Sequence, residues 1–134
     1  MKSVSILVPV MVKAKLTEKL KATILDELKK GIEQAELEIK QINLQQERAL
    51  KEQGGTPQQD AAIRRHFGQE LQKRQNFRAD SVARQEHIEK LAIGAELQQG
   101  TLQRQVELKV GDNIRELGNV EILVEDDKVI AIRG

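Results

Sequence analysis

His66 and His87 are the only histidines in the chain, and imidazole pairs are the side chains most often recruited to hold a metal. They are 21 residues apart, three heptads, so on one helix both would face similar directions. They would also stand about 31 Å apart, too far to share an ion. Solvated surface histidine is the economical reading. Arg64, Arg74 and Arg78 fall within about 80° of one another on a helical projection. That spacing suits contact with the phosphate backbone of RNA or DNA. Against it, the bases of this segment spread widely around the helix. Three of them also have an acid one turn earlier, in Glu70–Arg74, Asp80–Arg84 and Glu86–Lys90. Stacking on single strands has little to draw on, with two Phe and neither Tyr nor Trp. Gly111-Asp112-Asn113 could bind an ion, but a turn built on Gly and Asn explains it more simply. Glu125-Asp126-Asp127 makes a poor calcium site without further oxygen ligands. No G-x-x-x-x-G-K-[ST], H-E-x-x-H or G-x-S-x-G motif occurs. We therefore expect no catalytic residue, no metal and no cofactor.

Whatever positions these residues is rich in helix formers and poor in core aromatics. The 134 residues suit a single domain. Charged residues make up 32% of the chain yet the net charge is +1, so bulk electrostatics favours neither nucleic acid nor an acidic partner. Aromatics make up 1%, which a compact globule would find hard to build on but long helices with narrow aliphatic seams would not. There is no cysteine, which removes disulfides and thiolate chemistry and fits a cytoplasmic protein. The apolar run from Val4 to Val12 alternates onto one face as Val4, Ile6, Val8, Val10 and Val12, so it reads as a β-strand. It is shorter than the roughly 20 residues a bilayer-spanning helix needs, and no membrane association is expected.

Two long helical patterns occupy the middle. Thr17 caps the first, which runs to about Gln53 with Leu20, Ile24, Leu28, Ile32, Ala35, Ile39, Ile42 and Ala49 as its apolar seam. Gly54-Gly55 ends it. Thr56, Pro57 and Gln59 then offer an N-cap, a first-turn proline and a capping-box partner for a second helix over 57–93. That helix has a weaker seam: Ile63, Phe67 and Leu71 form one stripe, while Phe77, Ile88 and Leu91 form another rotated from it. The apolar gap between them predicts a slip in a continuous helix. With a turn at 53–57, the two helices should run antiparallel. Leu37 and Leu44, one heptad apart and roughly opposite the main seam of helix one, form a candidate stripe for self-association.

Strands return after Gly94. Val106, Leu108 and Val110 alternate with polar residues, as do Val120, Ile122 and Val124, and apolar alternation resumes from Val129. Asp126-Asp127 fits a two-residue hairpin turn, and residues 112–119 are compatible with a loop, a strand or one helical turn. Pro9 places the first strand, residues 3–13, at a sheet edge or beside a bulge. The C-terminal strands alone are too few for a core, so the first strand should join them.

The short N-terminal strand ending in Val12-Lys13-Ala14-Lys15-Leu16-Thr17-Glu18 precedes a Gln/Glu/Lys-rich helical stretch. Beyond it stand Ile93-Gly94-Ala95-Glu96-Leu97, Gly100-Thr101-Leu102 and Val106-Glu107-Leu108-Lys109-Val110-Gly111-Asp112-Asn113. Together these resemble the YlqD family of uncharacterised bacterial proteins over essentially the whole chain. The resemblance implies no assigned activity and carries over no catalytic residue.

The expected fold is α+β in one domain. A long antiparallel helical hairpin over 17–93 projects from a small antiparallel sheet or open barrel made of 3–13 and 95–134. The expected role is that of a non-enzymatic coiled-coil interaction or scaffold protein that self-associates as a homo-oligomer with an unidentified protein partner. The alternative is a ribosome- or RNA-associated factor that binds phosphate through Arg64, Arg74 and Arg78.

Overall fold

The computed structural model describes residues 1–134. Its elements are β1 (Ser3–Lys15), α1 (Glu18–Gln53), α2 (Pro57–Lys90), β2 (Glu96–Lys109), a 3-10 turn (Ile114–Leu117), β3 (Glu121–Glu125) and β4 (Lys128–Arg133). The chain forms two compact units, residues 1–21 with 91–134, and residues 22–90.

In the first unit the strands make one open sheet in the order β2-β1-β3-β4. β1 pairs antiparallel with β2 from Ser3↔Lys109 to Lys15↔Glu96. β3 lies on the other side of β1 and parallel to it, from Met11↔Glu121 to Ala14↔Val124. The sheet is therefore mixed, not wholly antiparallel, and it does not close into a barrel. The cause is topological. β2 ends beside Ser3, so the chain crosses β1 through residues 110–120 and re-enters beside Met11, travelling in the direction of β1. Residues 112–119 resolve as a 3-10 turn whose N-cap Asn113 accepts the Arg115 N–H. β3 and β4 form a hairpin through Asp126-Asp127, both with positive φ (47° and 69°), as a primed two-residue turn requires.

Pro9 falls where the sheet tolerates it. The Met11 N–H donates to the Val120 carbonyl, so odd-numbered β1 residues point their backbone groups to the β3 side. Pro9 shares that parity, and β3 does not reach it. Thus β1 is a central strand along Met11–Ala14 and an edge beside Pro9.

Alternation gives the sheet two unlike faces. One carries Val4, Ile6, Val8, Val10, Val12 and Ala14 of β1. Registered with them are Leu108, Val106 and Leu102 of β2, Ile122 and Val124 of β3, and Ile132 and Val129 of β4; the exception is Arg104, opposite Val8. Val8, Val10, Ala14 and the following Leu16 are buried. Exposure appears on the outer strands: Leu102 is 58% exposed and Ile132 71%. Leu16 also ties the chain to its return, since its N–H donates to the Ala95 carbonyl and its carbonyl accepts the Gly94 N–H.

The second unit is an antiparallel hairpin of α1 and α2. Thr56 Oγ1 accepts the Gln59 N–H as an N-cap does, and Asp60 Oδ1 accepts the N–H of Gly55, the residue before the cap. The α1 seam is as its spacing predicts, with Ala35 buried and the other seam residues at least half-covered. α2 is unbroken from Pro57 to Lys90, three residues shorter than expected. Its covered residues include Phe67, Arg74, Ser81 and Ile88, one heptad apart, with Leu71 and Gln85 between them and Ile63 before them. The seam does not slip. It passes through polar residues, and Phe77 lies outside it, 54% exposed.

Candidate interaction surfaces

Two arginines of α2 meet carboxylates of α1 across the hairpin. The Arg74 Nε donates to Glu38 Oε2 at 3.2 Å, and its Nη1 donates to Glu70 Oε2 at 2.6 Å. The Arg78 Nε donates to Glu36 Oε1 at 3.0 Å. Of the three arginines placed on one helical face by sequence, two are held by α1 carboxylates and only Arg64 is exposed without such a partner. The i,i+4 pair Glu70–Arg74 closes as expected. Asp26 and Lys30 pair in the same way on α1, and the Asp26 carboxylate holds the Lys30 ammonium above its ordinary pKa. Glu36 pairs across the hairpin with Arg78.

Beside Arg74 the hairpin has a shallow groove of about 380 Å³, lined by Gly31, Ala35, Glu38, Lys73, Arg74 and Phe77. Small residues on α1 let the Phe77 ring approach: a Cβ on Gly31 would sit 3.6 Å from its edge. This contact has no apolar-periodicity signal, because it joins a glycine to an off-seam aromatic. Symmetry about the glycine break could have found it, since Gly31 and Phe77 each lie 23 residues from Gly54, but the acidic partners of Arg74 and Arg78 lie several residues off that symmetry.

His66 and His87 are both exposed. His66 packs edge-on against Phe67, with ring centroids 5.1 Å apart. No group of three or more His, Asp or Glu is arranged to hold a metal. Asp112 serves its turn, accepting the Lys109 N–H at 2.8 Å. Asp126 accepts the Thr17 hydroxyl at 2.8 Å. Leu37 and Leu44 are 50% and 62% exposed on α1.

The polar face of the sheet carries a line of charges. Lys13 pairs with Glu121 at 3.0 Å, Arg133 lies 3.5 Å from Glu121, and Arg133 also bonds Glu96. The hydrogen bond from Arg133 lowers the Glu96 pKa, and the same bond raises that of Arg133. These groups neutralise one another across β4, β3, β1 and β2. On the opposite face, the Arg104 Nε is buried without a hydrogen-bond partner. The charged groups here pair with one another at the surface, an arrangement that orients strands and helices.

Three comparisons bear on the chain. A family model described as YlqD protein matches residues 4–133. A crystal structure of a protein of unknown function from Synechococcus sp. WH 8102 is similar with a TM-score of 0.87 and 23% sequence identity, covering 98% of this chain and 97% of that one. That likeness shows the fold. No curated protein matches. No helix is long and apolar enough to cross a membrane.

Proposed function

The chain belongs to the YlqD family, and we propose that it works without catalysis, as a self-associating interaction protein. Uncovered apolar surface carries this reading. Leu37 and Leu44 stand exposed one heptad apart on α1, and Leu102, Val129 and Ile132 stand exposed on the outer strands of the sheet. The chain leaves 10109 Å² accessible to solvent. A compact monomer of 15.1 kDa would expose about 7,100 Å² by area–mass scaling. The difference is roughly 3,000 Å² per chain, more than the roughly 1,000–2,500 Å² that each partner of an obligate pair buries. Within each unit the elements form a single layer, and layers with an apolar side are stable when another layer covers it.

Binding to an RNA phosphate backbone has less support. Arg74 and Arg78 are already engaged by Glu38, Glu70 and Glu36. A nucleic acid would have to compete with these intramolecular partners.

Light scattering on the full chain tests the reading. The expected result is a defined oligomer whose mass is a small multiple of 15.1 kDa. A monomer at every accessible concentration would overturn it.

A further inference from the structure

The sheet protects its open edges unevenly. β1 is open over Ser3–Pro9, beyond the reach of β3; Pro9 removes one donor there, and the short remaining stretch keeps the outward groups of Ser3, Ser5 and Leu7. β4 is short, bears Lys128 and Arg133 at its ends, and has an irregular register against β3. β2 is the long outer strand. Its N-terminal part is interrupted by a register shift opposite Val12/Lys13, and its C-terminal end is closed by Asp112, whose carboxylate takes the Lys109 N–H. Between these, Thr101 to Glu107 carries no proline, no bulge and no covering segment.

The direction of the free backbone groups follows from the register. Even-numbered β1 residues point toward β2, and their opposites Leu102, Arg104, Val106 and Leu108 point back. Thr101, Gln103, Gln105 and Glu107 therefore turn their N–H and C=O groups outward. Such a row binds another extended strand.

We propose that the occupant is β2 of a second copy, paired antiparallel about a two-fold axis at Gln105. This rests on the self-association reading and specifies its surface. Charge and packing select the register. An axis at Arg104 would set two arginines directly opposite, and an axis at Glu107 would oppose two carboxylates. An axis at Gln103 would set the exposed Leu102 against Arg104 of the partner subunit. An axis at Gln105 sets Leu102 against Leu108 of the partner subunit and Gln103 against Glu107 of the partner subunit, with no like charges directly opposed. It would form about six main-chain hydrogen bonds. It would continue the apolar face from one copy to the next, at the margin where Leu102 is exposed. The Gln105 side chain already leans inward, donating to Ser5 Oγ at 3.0 Å, and so leaves the backbone edge clear.

Cysteine cross-linking of the full chain gives the test, and the chain has no cysteine of its own. Across the axis the two Gln105 Cα atoms would be about 5.5 Å apart, within disulfide reach. The two Gln103 positions would be offset by four residues, about 14 Å along the strand. Mild oxidation of Gln105→Cys should give a disulfide-linked dimer, with at least about tenfold less from Gln103→Cys. Gln105→Pro removes an outward N–H that the chain itself does not use. It should move the dissociation midpoint about tenfold or more toward monomer, with helical circular dichroism retained. Equal cross-linking at both positions, or a Gln105→Pro protein that associates like the parent, would overturn this interface while leaving self-association standing. A parent protein that stays monomeric would overturn both.

Discussion

Gly54 and Gly68 are both glycines in the helical hairpin, and their surroundings predict opposite responses to a methyl group. At Gly54 a Cβ would collide with the Leu50 carbonyl and the Asp60 carboxylate, and the carbonyl cannot move without undoing the last turn of α1. Gly68 lies inside α2 with nothing near its would-be Cβ. Gly54→Ala should therefore destabilise the hairpin by about 1–3 kcal/mol. Gly68→Ala should stabilise it by about 0.5–1 kcal/mol, by restricting the unfolded chain and improving helix propensity. Urea denaturation of the two variants checks both signs, and a like-signed pair would contradict the packing described. The Glu96–Arg133 pair adds a pH response. The Glu96 pKa is lowered in the folded state, so its contribution is present above the ordinary carboxylate value of 4.5. It is lost as pH falls through the lowered folded value. Arg133→Gln should flatten the acid limb of the stability curve from the ordinary carboxylate value of 4.5 downward, and leave it unchanged in slope near neutral pH, measured by thermal melts in a pH series. Both side chains are exposed, so the effect is a small change of slope.

At the scale of elements, Thr17 joins two signals. Its hydroxyl oxygen accepts the Leu20 N–H, capping α1, and its proton goes to Asp126 in the β3–β4 turn. Thr17→Ala should cost about 1–2 kcal/mol, and Thr17→Ser should recover most of it. Full recovery by Thr17→Val would show that shape, not the hydrogen bonds, matters there. This cap was legible in the sequence because capping is local: residue type and a spacing of three suffice. The Asp126-Asp127 turn and the α1 seam were legible for the same reason. The parallel β1–β3 pair was not. Alternation says which residues share a face and is silent about the neighbouring strand and its direction, which depend on where β2 ends. The α2 seam was half legible, since apolar periodicity finds Phe67 and Ile88 but not Arg74 and Ser81, covered polar positions between them. Arg74 is covered because Glu38 and Glu70 satisfy its guanidinium. A double-mutant cycle on Arg74 and Glu38 should give a coupling of about 0.5–1 kcal/mol that weakens with added salt. The arginines also show the limit of helical projection: it reports direction and omits what stands opposite.

For the whole molecule, few large apolar side chains are fully buried. Leu16 and Ile88 are the largest, and the remaining core residues are valines and alanines. Buried aliphatic groups supply about 0.8 kcal/mol per CH₂, so a core of this kind contributes little by itself. The proposed self-association would add to this, because burial between copies contributes to folding stability in proportion to the logarithm of protein concentration. If the folded chain is held together partly by its own copies, its melting temperature must depend on concentration. A hundredfold dilution changes the driving force by roughly 2.7 kcal/mol per mole of association. For a domain near this size, that corresponds to a fall of several degrees. Differential scanning fluorimetry with an extrinsic dye, or circular dichroism melts at two concentrations a hundredfold apart, would register such a shift. Leu16→Ala supplies the comparison: a cavity in the first unit should lower the melting temperature by a similar amount at both concentrations, since it removes about 2–5 kcal/mol from the fold and leaves the outer strands unchanged. A melting temperature that ignores dilution in the parent chain would mean that these single layers stand without a partner, and the exposed leucines of α1 and β2 would then need another explanation.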